Sequence, residues 1–270
     1  MCDKKERTKM KYGFIGCGNM GSAIAKALAK ATTDFAITDR SGRAIALAAD
    51  IPCGYLSAVE IAEQCDRIFL GVKPHMMKDV LAPLQKILTQ RKPLLITMAA
   101  GLEIKKIEEF AGCRLPVIRI MPNTPVAIGK GVIQYCFNDL VTSEMVDDFC
   151  RDLQFAGILD QLEERLIDAG SAISGSGPAY VYLFIEALSD GAVACGIPRA
   201  KAMEYAAATV IGAGEMVLQS GQHPGALKDA VCSPGGSTIK GVQALENHAF
   251  RGAVMDCVIA TYNRNKELGK

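Results

Sequence analysis

The stretch Lys11-Tyr12-Gly13-Phe14-Ile15-Gly16-Cys17-Gly18-Asn19-Met20-Gly21 decides the fold, together with the alanine-rich run that leaves it. Residues 12–15 read as a short buried strand. Residues 16–21 form a G-x-G-x-x-G turn, and a helical pattern follows over 20–31. The first glycine permits a tight turn, the second lets the backbone approach a pyrophosphate, and the third lets the helix pack close to the strand. Phosphates bound there face the helix N-terminus. In a chain with 26 glycines the bare pattern says little. Its place between a first strand and a helix makes dinucleotide binding its expected use.

Working outward, further apolar runs of four to six residues occur at 35–38, 67–72, 94–98 and 117–120. Helical patterns lie between them at 43–50, 58–64, 75–89 and 103–110. Near-continuous apolar strands alternating with helices predict a parallel sheet covered on both faces, a doubly wound α/β or Rossmann domain. Runs at 131–137 and 158–159 predict extra strands at the sheet edge, and 142–154 a helix with a capping residue at its start. After Glu163 the strand signal stops. Residues 167–172, 179–195, 199–219, 224–231, 238–246 and 249–267 read as helices punctuated by Gly and Pro. The expected division is therefore a dinucleotide-binding domain over 1–162 and an all-α domain over 163–270. Residues 206–214 carry no charge. A helix apolar all round must be buried all round, and this half is too short to bury it alone. A second copy of the chain is expected to pack against it.

Composition narrows the function classes. Thirty basic and 29 acidic residues leave a net charge of +1, which lacks the basic excess that nucleic acid or an anionic membrane surface needs. No apolar run is long enough to span a bilayer. Residues 1–10 mix both charges and carry neither a signal-peptide core nor transit-peptide character, so a soluble cytoplasmic protein is expected. The ten cysteines form no CxxC pair and the three histidines are scattered. No metal site is expected, and the cysteines read as buried small hydrophobes in a reducing compartment.

At the ribose end the residues point two ways. Asp39 closes the second strand 18 positions past Gly21, where an acid bonds the ribose hydroxyls of NADH. Arg40, Ser41 and Arg43 follow at once, and an arginine beside a hydroxyl suits the 2′-phosphate of NADPH. NADPH is favoured, with NADH as the alternative.

Several more stretches stand in order behind the glycine turn: Gly71-Val72-Lys73-Pro74, Thr97-Met98-Ala99-Ala100-Gly101, Arg119-Ile120-Met121-Pro122-Asn123-Thr124-Pro125, Ser174-Gly175-Ser176-Gly177-Pro178-Ala179-Tyr180 and Ser233-Pro234-Gly235-Gly236-Ser237-Thr238. Taken together they resemble the pyrroline-5-carboxylate reductase family, whose members reduce a cyclic imine, 1-pyrroline-5-carboxylate, to L-proline. The resemblance covers nearly the whole chain after Lys9. It implies a Rossmann domain followed by a helical substrate-binding and dimerisation domain, in a homodimer or a larger assembly of dimers. For the cofactor it implies contacts from Ile15, Gly16, Cys17, Gly18, Asn19, Met20 and Gly21 at the phosphates. Asp39, Arg40 and Ser41 belong to the ribose end, and Gly71, Val72, Lys73, Pro74, Met98, Ala99 and Ala100 to the side nearer the nicotinamide. For the substrate it implies Glu164, Ser233, Gly235, Gly236, Ser237 and Thr238, with one wall from the other subunit.

The chemistry of those residue types agrees. A helix start preceded by two glycines offers free backbone N–H groups, which hold a carboxylate without a lysine. The Thr238 hydroxyl, the expected catalytic group, can orient the ring nitrogen and assist proton delivery. Most of the rate then comes from positioning. The plainer use of the same stretch is a helix start with Ser237 or Thr238 as N-cap. Lys73 reads as a cofactor support, His75 as a capping or surface residue, His223 as a turn into a helix and Arg119 as an electrostatic brace. A β-hydroxyacid dehydrogenase has similar architecture but needs a catalytic lysine after its glycine-rich stretch, and no lysine occurs between Lys130 and Lys201. An imine reductase of other specificity and a nicotinamide-sensing module without turnover are the remaining alternatives. A sensor would have no need of the stretch at 235–238.

Overall fold

The structure is a computed structural model describing residues 10–268. Residues 1–9, on which the absence of a targeting signal was read, lie outside the described residues, as do 269–270. One sheet contains β1 (Met10–Ile15), β2 (Phe35–Thr38), β3 (Gly54–Tyr55), β4 (Cys65–Leu70), β5 (Leu94–Thr97), β6 (Val117–Pro122), β7 (Gly131–Phe137) and β8 (Gly157–Gln161). The strand order is β3-β2-β1-β4-β5-β6-β7-β8. Strands β1 to β6 run parallel, β7 is antiparallel to β6, and β8 follows β7 in parallel. This is the doubly wound sheet expected, with the added strands at one edge.

Side-chain alternation explains why the strands read as unbroken apolar runs. Tyr12, Phe14, Phe69, Ile96 and Ile118 pack into the core on one face of the sheet. Ile15, Ile68, Leu70, Leu95 and Val117 pack into the core on the other. Neither face is wet, so no polar position interrupts the pattern. The rings of Phe14 and Phe69 stack across β1 and β4 with centroids 4.4 Å apart.

Two local expectations are corrected. The single helix expected at 75–89 is broken into Met77–Leu81 and Gln85–Arg91, separated by a 3₁₀ turn at Ala82–Leu84. Pro83 lacks the N–H that a continuous helix would need there. The two-residue strand β3 was not anticipated; its residues are not buried, so it shows no periodicity. The capped start near 142 is present: Thr142 Oγ1 accepts from Met145 N at 3.3 Å.

The chain forms two compact units. The first runs to Ser176 and includes the chain from Tyr262 onward; the second is Gly177–Thr261. The helix Ile167–Ser174 belongs to the first and buries Ile167 and Ala172. The second is built from the helices Gly177–Ala194, Arg199–Ser220, Pro224–Ala230 and Ser237–Asn247 and most of Phe250–Leu268. Among the described residues no helix is long and apolar enough to cross a membrane. The cysteine expectation needs correcting too. Cys17, Cys65 and Cys136 are buried, but Cys195 is exposed and five others are half-buried.

A charged cluster gathers near the start of β1. Asp152 is 8% exposed and accepts from both Lys11 Nζ and Tyr12 Oη at 2.7 Å. Arg67 pairs with Asp148 and lies over the Tyr12 ring. Burial pushes the Asp152 carboxyl up, but the hydrogen bonds from Lys11 and Tyr12 outweigh it and leave the group below its ordinary value. A depressed carboxylate pKa stabilises the fold above the unfolded value, near 3.9, and that contribution disappears as pH falls through the folded one. Tyr12→Phe should therefore cost about 2 kcal/mol at neutral pH, with the deficit narrowing below about pH 4. Urea unfolding of both proteins at the two pH values checks this; a deficit that grows in acid would contradict it.

Candidate functional site

The register puts Ile15 beside both Thr38 and Leu70, so the carboxyl ends of β1, β2 and β4 lie together. Gly16 N donates to Thr38 O at 2.8 Å, and Gly71 N donates to Ile15 O at 2.9 Å, fastening the turn to its neighbours. The three turn glycines then play three distinct roles. Gly16 has φ +103°, a conformation few other residues adopt. A Cβ at Gly21 would lie 2.3 Å from Gly16 O, and one at Gly71 would lie 2.2 Å from the same oxygen. At Gly18 a Cβ would meet nothing within 4 Å. Gly18 is the N-cap of the helix Asn19–Leu28 and no side chain caps it, so first-turn amides are left for a ligand. Ser22 Oγ donates to Cys17 O at 2.9 Å and closes the turn from behind.

These elements enclose a cavity of about 410 Å³. Ile15, Gly16, Cys17, Gly18, Asp39, Arg40, Ser41, Gly71, Val72 and Lys73 all line it. A glycine turn, open backbone at Gly18 and two arms from neighbouring strands fit the phosphates and adenosine of a dinucleotide. Cys17 contributes backbone only: its thiol is buried, and burial, then the charges of Asp39 and Cys53, push it up to about 12. The opposite wall was not anticipated. Val59, Val80, Pro83 and Leu84 supply it from helices after β3 and β4. Single apolar residues on helix faces carry no chemical signature, though an exposed Val59 beside a capping box was available as a hint.

The other expected cofactor residues, Asn19, Met20, Gly21, Pro74, Met98, Ala99 and Ala100, are not part of its lining. Asn19, Met20 and Gly21 open the helix itself. Met98 N donates to Leu70 O at 3.3 Å and ties the end of β5 to β4, while Ala99 is buried and shapes backbone only. Pro74 and Ala100 line a second cavity of about 500 Å³, with Gly101, Met121, Asp168 and Ser171. His75 is exposed at its rim.

Glu164 and Arg119 meet on that side of the sheet. Arg119, 2% exposed, reaches from β6 to Glu164 Oε1 at 3.3 Å and Asp168 Oδ1 at 3.1 Å. Glu164 Oε1 also accepts from Ile104 N at 2.8 Å, capping the helix Ile104–Ala111. In the structure Glu164 is thus a strut between a helix start and a buried guanidinium. The bracing role of Arg119 is plain from its two partners.

The stretch from Ser233 belongs to the second unit. Gly236 N donates to Ser233 O at 3.0 Å across Pro234 and Gly235, and Gly235 has φ +70°. Pro then Gly at the centre is the pattern of a type II turn. A Cβ at Gly236 would lie 2.4 Å from Ser233 Oγ, a hydroxyl that can rotate away, and 3.1 Å from Ser233 O, so it is Gly235, with its positive φ, that the turn favours as glycine. The helix Ser237–Asn247 starts one residue earlier than expected: Gly236 is the N-cap, and no side chain caps it. This corrects the expectation that Ser237 or Thr238 fills that role. Both hydroxyls are exposed, and first-turn amides stay free of a side-chain partner.

Comparison with known proteins bears on both halves. Residues 164–268 match the family model described as pyrroline-5-carboxylate reductase dimerisation, and residues 11–101 match the one described as NADP oxidoreductase coenzyme F420-dependent. Pyrroline-5-carboxylate reductase of Glycine max is 40% identical over 266 residues, covering 95% of each chain. That of Escherichia coli (strain K12) is 39% identical over 266 residues, covering 96% of this chain and 98% of its own. The crystal structure of Plasmodium falciparum pyrroline carboxylate reductase with NADP bound superposes with TM-score 0.85 at 35% identity, covering 97% and 98% of the two chains. With full-length relatives at this identity and an ordered set of glycine turns that the geometry requires, the chain belongs to the pyrroline-5-carboxylate reductase family.

Proposed function

We propose that the chain reduces the C=N bond of 1-pyrroline-5-carboxylate to give L-proline, with a nicotinamide dinucleotide as reductant. The observation that carries this is that the chain has two bare helix starts, at Gly18 and Gly236, with a positive-φ glycine two residues before the first (Gly16) and one before the second (Gly235), and neither capped by a side chain. One suits a pyrophosphate and the other a carboxylate. The dinucleotide, when bound, supplies the hydride. Gly16, Gly18 and the start of the helix Asn19–Leu28 hold its phosphates, and Val72, Lys73, Pro74, Met98, Ala99 and Ala100 frame the end nearer the ring. The amides of Gly236, Ser237 and Thr238 hold the substrate carboxylate, with Gly235 and Ser233 fixing the turn and Glu164 a further contact. The Thr238 hydroxyl orients the ring nitrogen and would relay a proton to it, taking one up from solvent as it gives its own.

NADPH is the reductant on this view, through Arg40 and Ser41; NADH is the second reading, supported by Asp39. Residues 163–270 work as the substrate-binding and dimerisation domain of a homodimer or an assembly of dimers. The free cysteines suit a reducing compartment, and we place the enzyme in the cytoplasm.

The direct test mixes purified protein, reduced dinucleotide and the cyclic imine and follows nicotinamide absorbance. Oxidation that depends on the imine and yields proline is expected. No reaction with either cofactor would favour a sensing module. Thr238→Ala should lower kcat roughly ten- to hundredfold while leaving dinucleotide affinity nearly unchanged. Parallel loss of affinity and thermal stability would assign Thr238 to folding instead.

A further inference from the structure

Two of the ordered stretches, 119–125 and 174–180, meet at one buried amide. Asn123 follows β6, is 7% exposed, and precedes a 3₁₀ turn, Thr124–Ile128, that its side chain does not cap. Both ends of that side chain are used elsewhere. Oδ1 accepts from Val132 N at 2.9 Å, which ties the end of β6 to β7. Because a backbone N–H can only donate, this bond fixes which way the amide points. Nδ2 then donates at 2.9 Å to the carbonyl of Ser174, the last residue of the helix Ile167–Ser174 and 51 positions away.

Ser174 O is available for a reason written in the sequence. In an unbroken helix it would accept from the N–H of residue 178, four positions on. Residue 178 is proline and has none. The helix ends there: Gly175 N and Ser176 N both donate to Ser171 O, at 2.9 and 3.1 Å, and the next helix starts at Gly177. The second unit also begins at Gly177. Ser174 is buried, so its carbonyl needs a partner from the protein, and Asn123 supplies it.

We propose that Asn123 and Pro178 act as one device: the proline opens the helix, and the asparagine holds the carbonyl that the proline releases, so that the chain leaves the first unit at a fixed break. Asn123 is thus a positioning residue for the reaction. It lines neither the 410 Å³ nor the 500 Å³ cavity. It fixes instead the end of the segment to which residues 177–261, Thr238 among them, are joined. The inference rests on the proposed role of Thr238 in imine reduction. Without Asn123 a buried carbonyl is left unpaired, a cost avoided only by shifting the break. Without Pro178 the N–H of residue 178 would close onto Ser174 O, and one continuous helix would replace the break. Misplacing a reacting group by about 1 Å can cost roughly a hundredfold in rate, so either change reaches the chemistry from a distance.

Steady-state kinetics of the full-length protein with NADPH and the cyclic imine, beside calorimetric titration with NADP+ and thermal unfolding, separate positioning from stability. Pro178→Ala removes no bond and supplies an N–H. Its melting temperature should be no lower and its NADP+ affinity within about twofold, while kcat falls roughly tenfold or more. Asn123→Asp keeps the acceptor for Val132 N and loses the donor, so melting temperature and kcat should both drop. In the double variant the new N–H at 178 satisfies Ser174 O. Its melting temperature should return toward that of the unaltered protein while kcat stays at least about tenfold down. Pro178→Ala with unchanged kcat and KM would overturn the proposal, as would a double variant whose kcat recovers together with its stability. An unaltered protein that binds NADP+ and leaves the imine unreduced would overturn the assigned reaction itself, a failure seen before any variant is made.

Discussion

Gly21→Ala should unfold the glycine turn, with a stability loss of roughly 3 kcal/mol or more and no measurable dinucleotide binding. An alanine inside a helix ordinarily gains up to about 1 kcal/mol over glycine, so the expected sign is reversed. The reason is steric. The new Cβ would lie 2.3 Å from Gly16 O, a backbone atom that cannot rotate away. Gly16 N is itself bonded to Thr38 O, so moving Gly16 loosens the junction of β1 and β2. Gly18→Ala is the matched control. Nothing lies within 4 Å of its Cβ position, and stability should change by less than about 1 kcal/mol. The methyl would nonetheless occupy the open face of the turn, and dinucleotide affinity should fall roughly a hundredfold. Urea unfolding and calorimetry on the two variants give the two axes. A Gly18→Ala protein that binds NADP+ normally would remove the phosphate from this turn.

Charge placed on the second unit should have the other large effect. In the helix Arg199–Ser220 only Ala202 and Ala206 are buried, while Ile211, Met216 and Leu218 are all more than half exposed. The neighbouring helices repeat the pattern at Leu183, Met255 and Ile259. Isolated exposed apolar residues are ordinary, but so many on adjacent helices form a face that a soluble chain covers. The match of residues 164–268 to a dimerisation family model supports the proposal that a second copy of the chain is the cover. Met216, exposed in the single chain, fits the same account. Burying a side chain the size of isoleucine contributes about 1.5–3 kcal/mol, and a buried unpaired carboxylate costs more than that again. Ile211→Glu, which places two such charges in a symmetric pair, should shift the protein from dimer or larger to monomer at micromolar concentration. Light scattering behind size-exclusion chromatography reads this directly. An oligomer of unchanged mass and melting temperature would show that the cover lies elsewhere.

Much of this architecture was legible because its causes are local. Strands with both faces buried cannot tolerate polar positions, so β1, β2, β4, β5 and β6 appear as apolar runs. Glycines at 16 and 21 announce themselves because a side chain there would meet a positive φ or a backbone oxygen, while Gly18 has room for a Cβ and leaves its open face to a ligand. Pro83 acts against the period: its missing N–H breaks a helix that hydrophobic spacing alone would continue. The start of the helix Ser237–Asn247 was displaced by one residue, since a glycine in extended conformation can serve as N-cap as well as a serine can.

The alternation of strands and helices, the glycine turn, the uncharged stretch at 206–214 and the family resemblance can all be read along the chain. The bonding of the charges emerges only in the folded molecule. Asp39 proved to be spent on its own turn, Glu164 to cap a helix while holding Arg119, and Tyr12 to donate to a carboxylate 140 positions away. Hydrophobic period and glycine sterics act over a few residues and leave a mark in every window of the chain. An ionised side chain takes whichever counter-charge packing delivers, and that choice is made between segments far apart in sequence, after the sheet has closed.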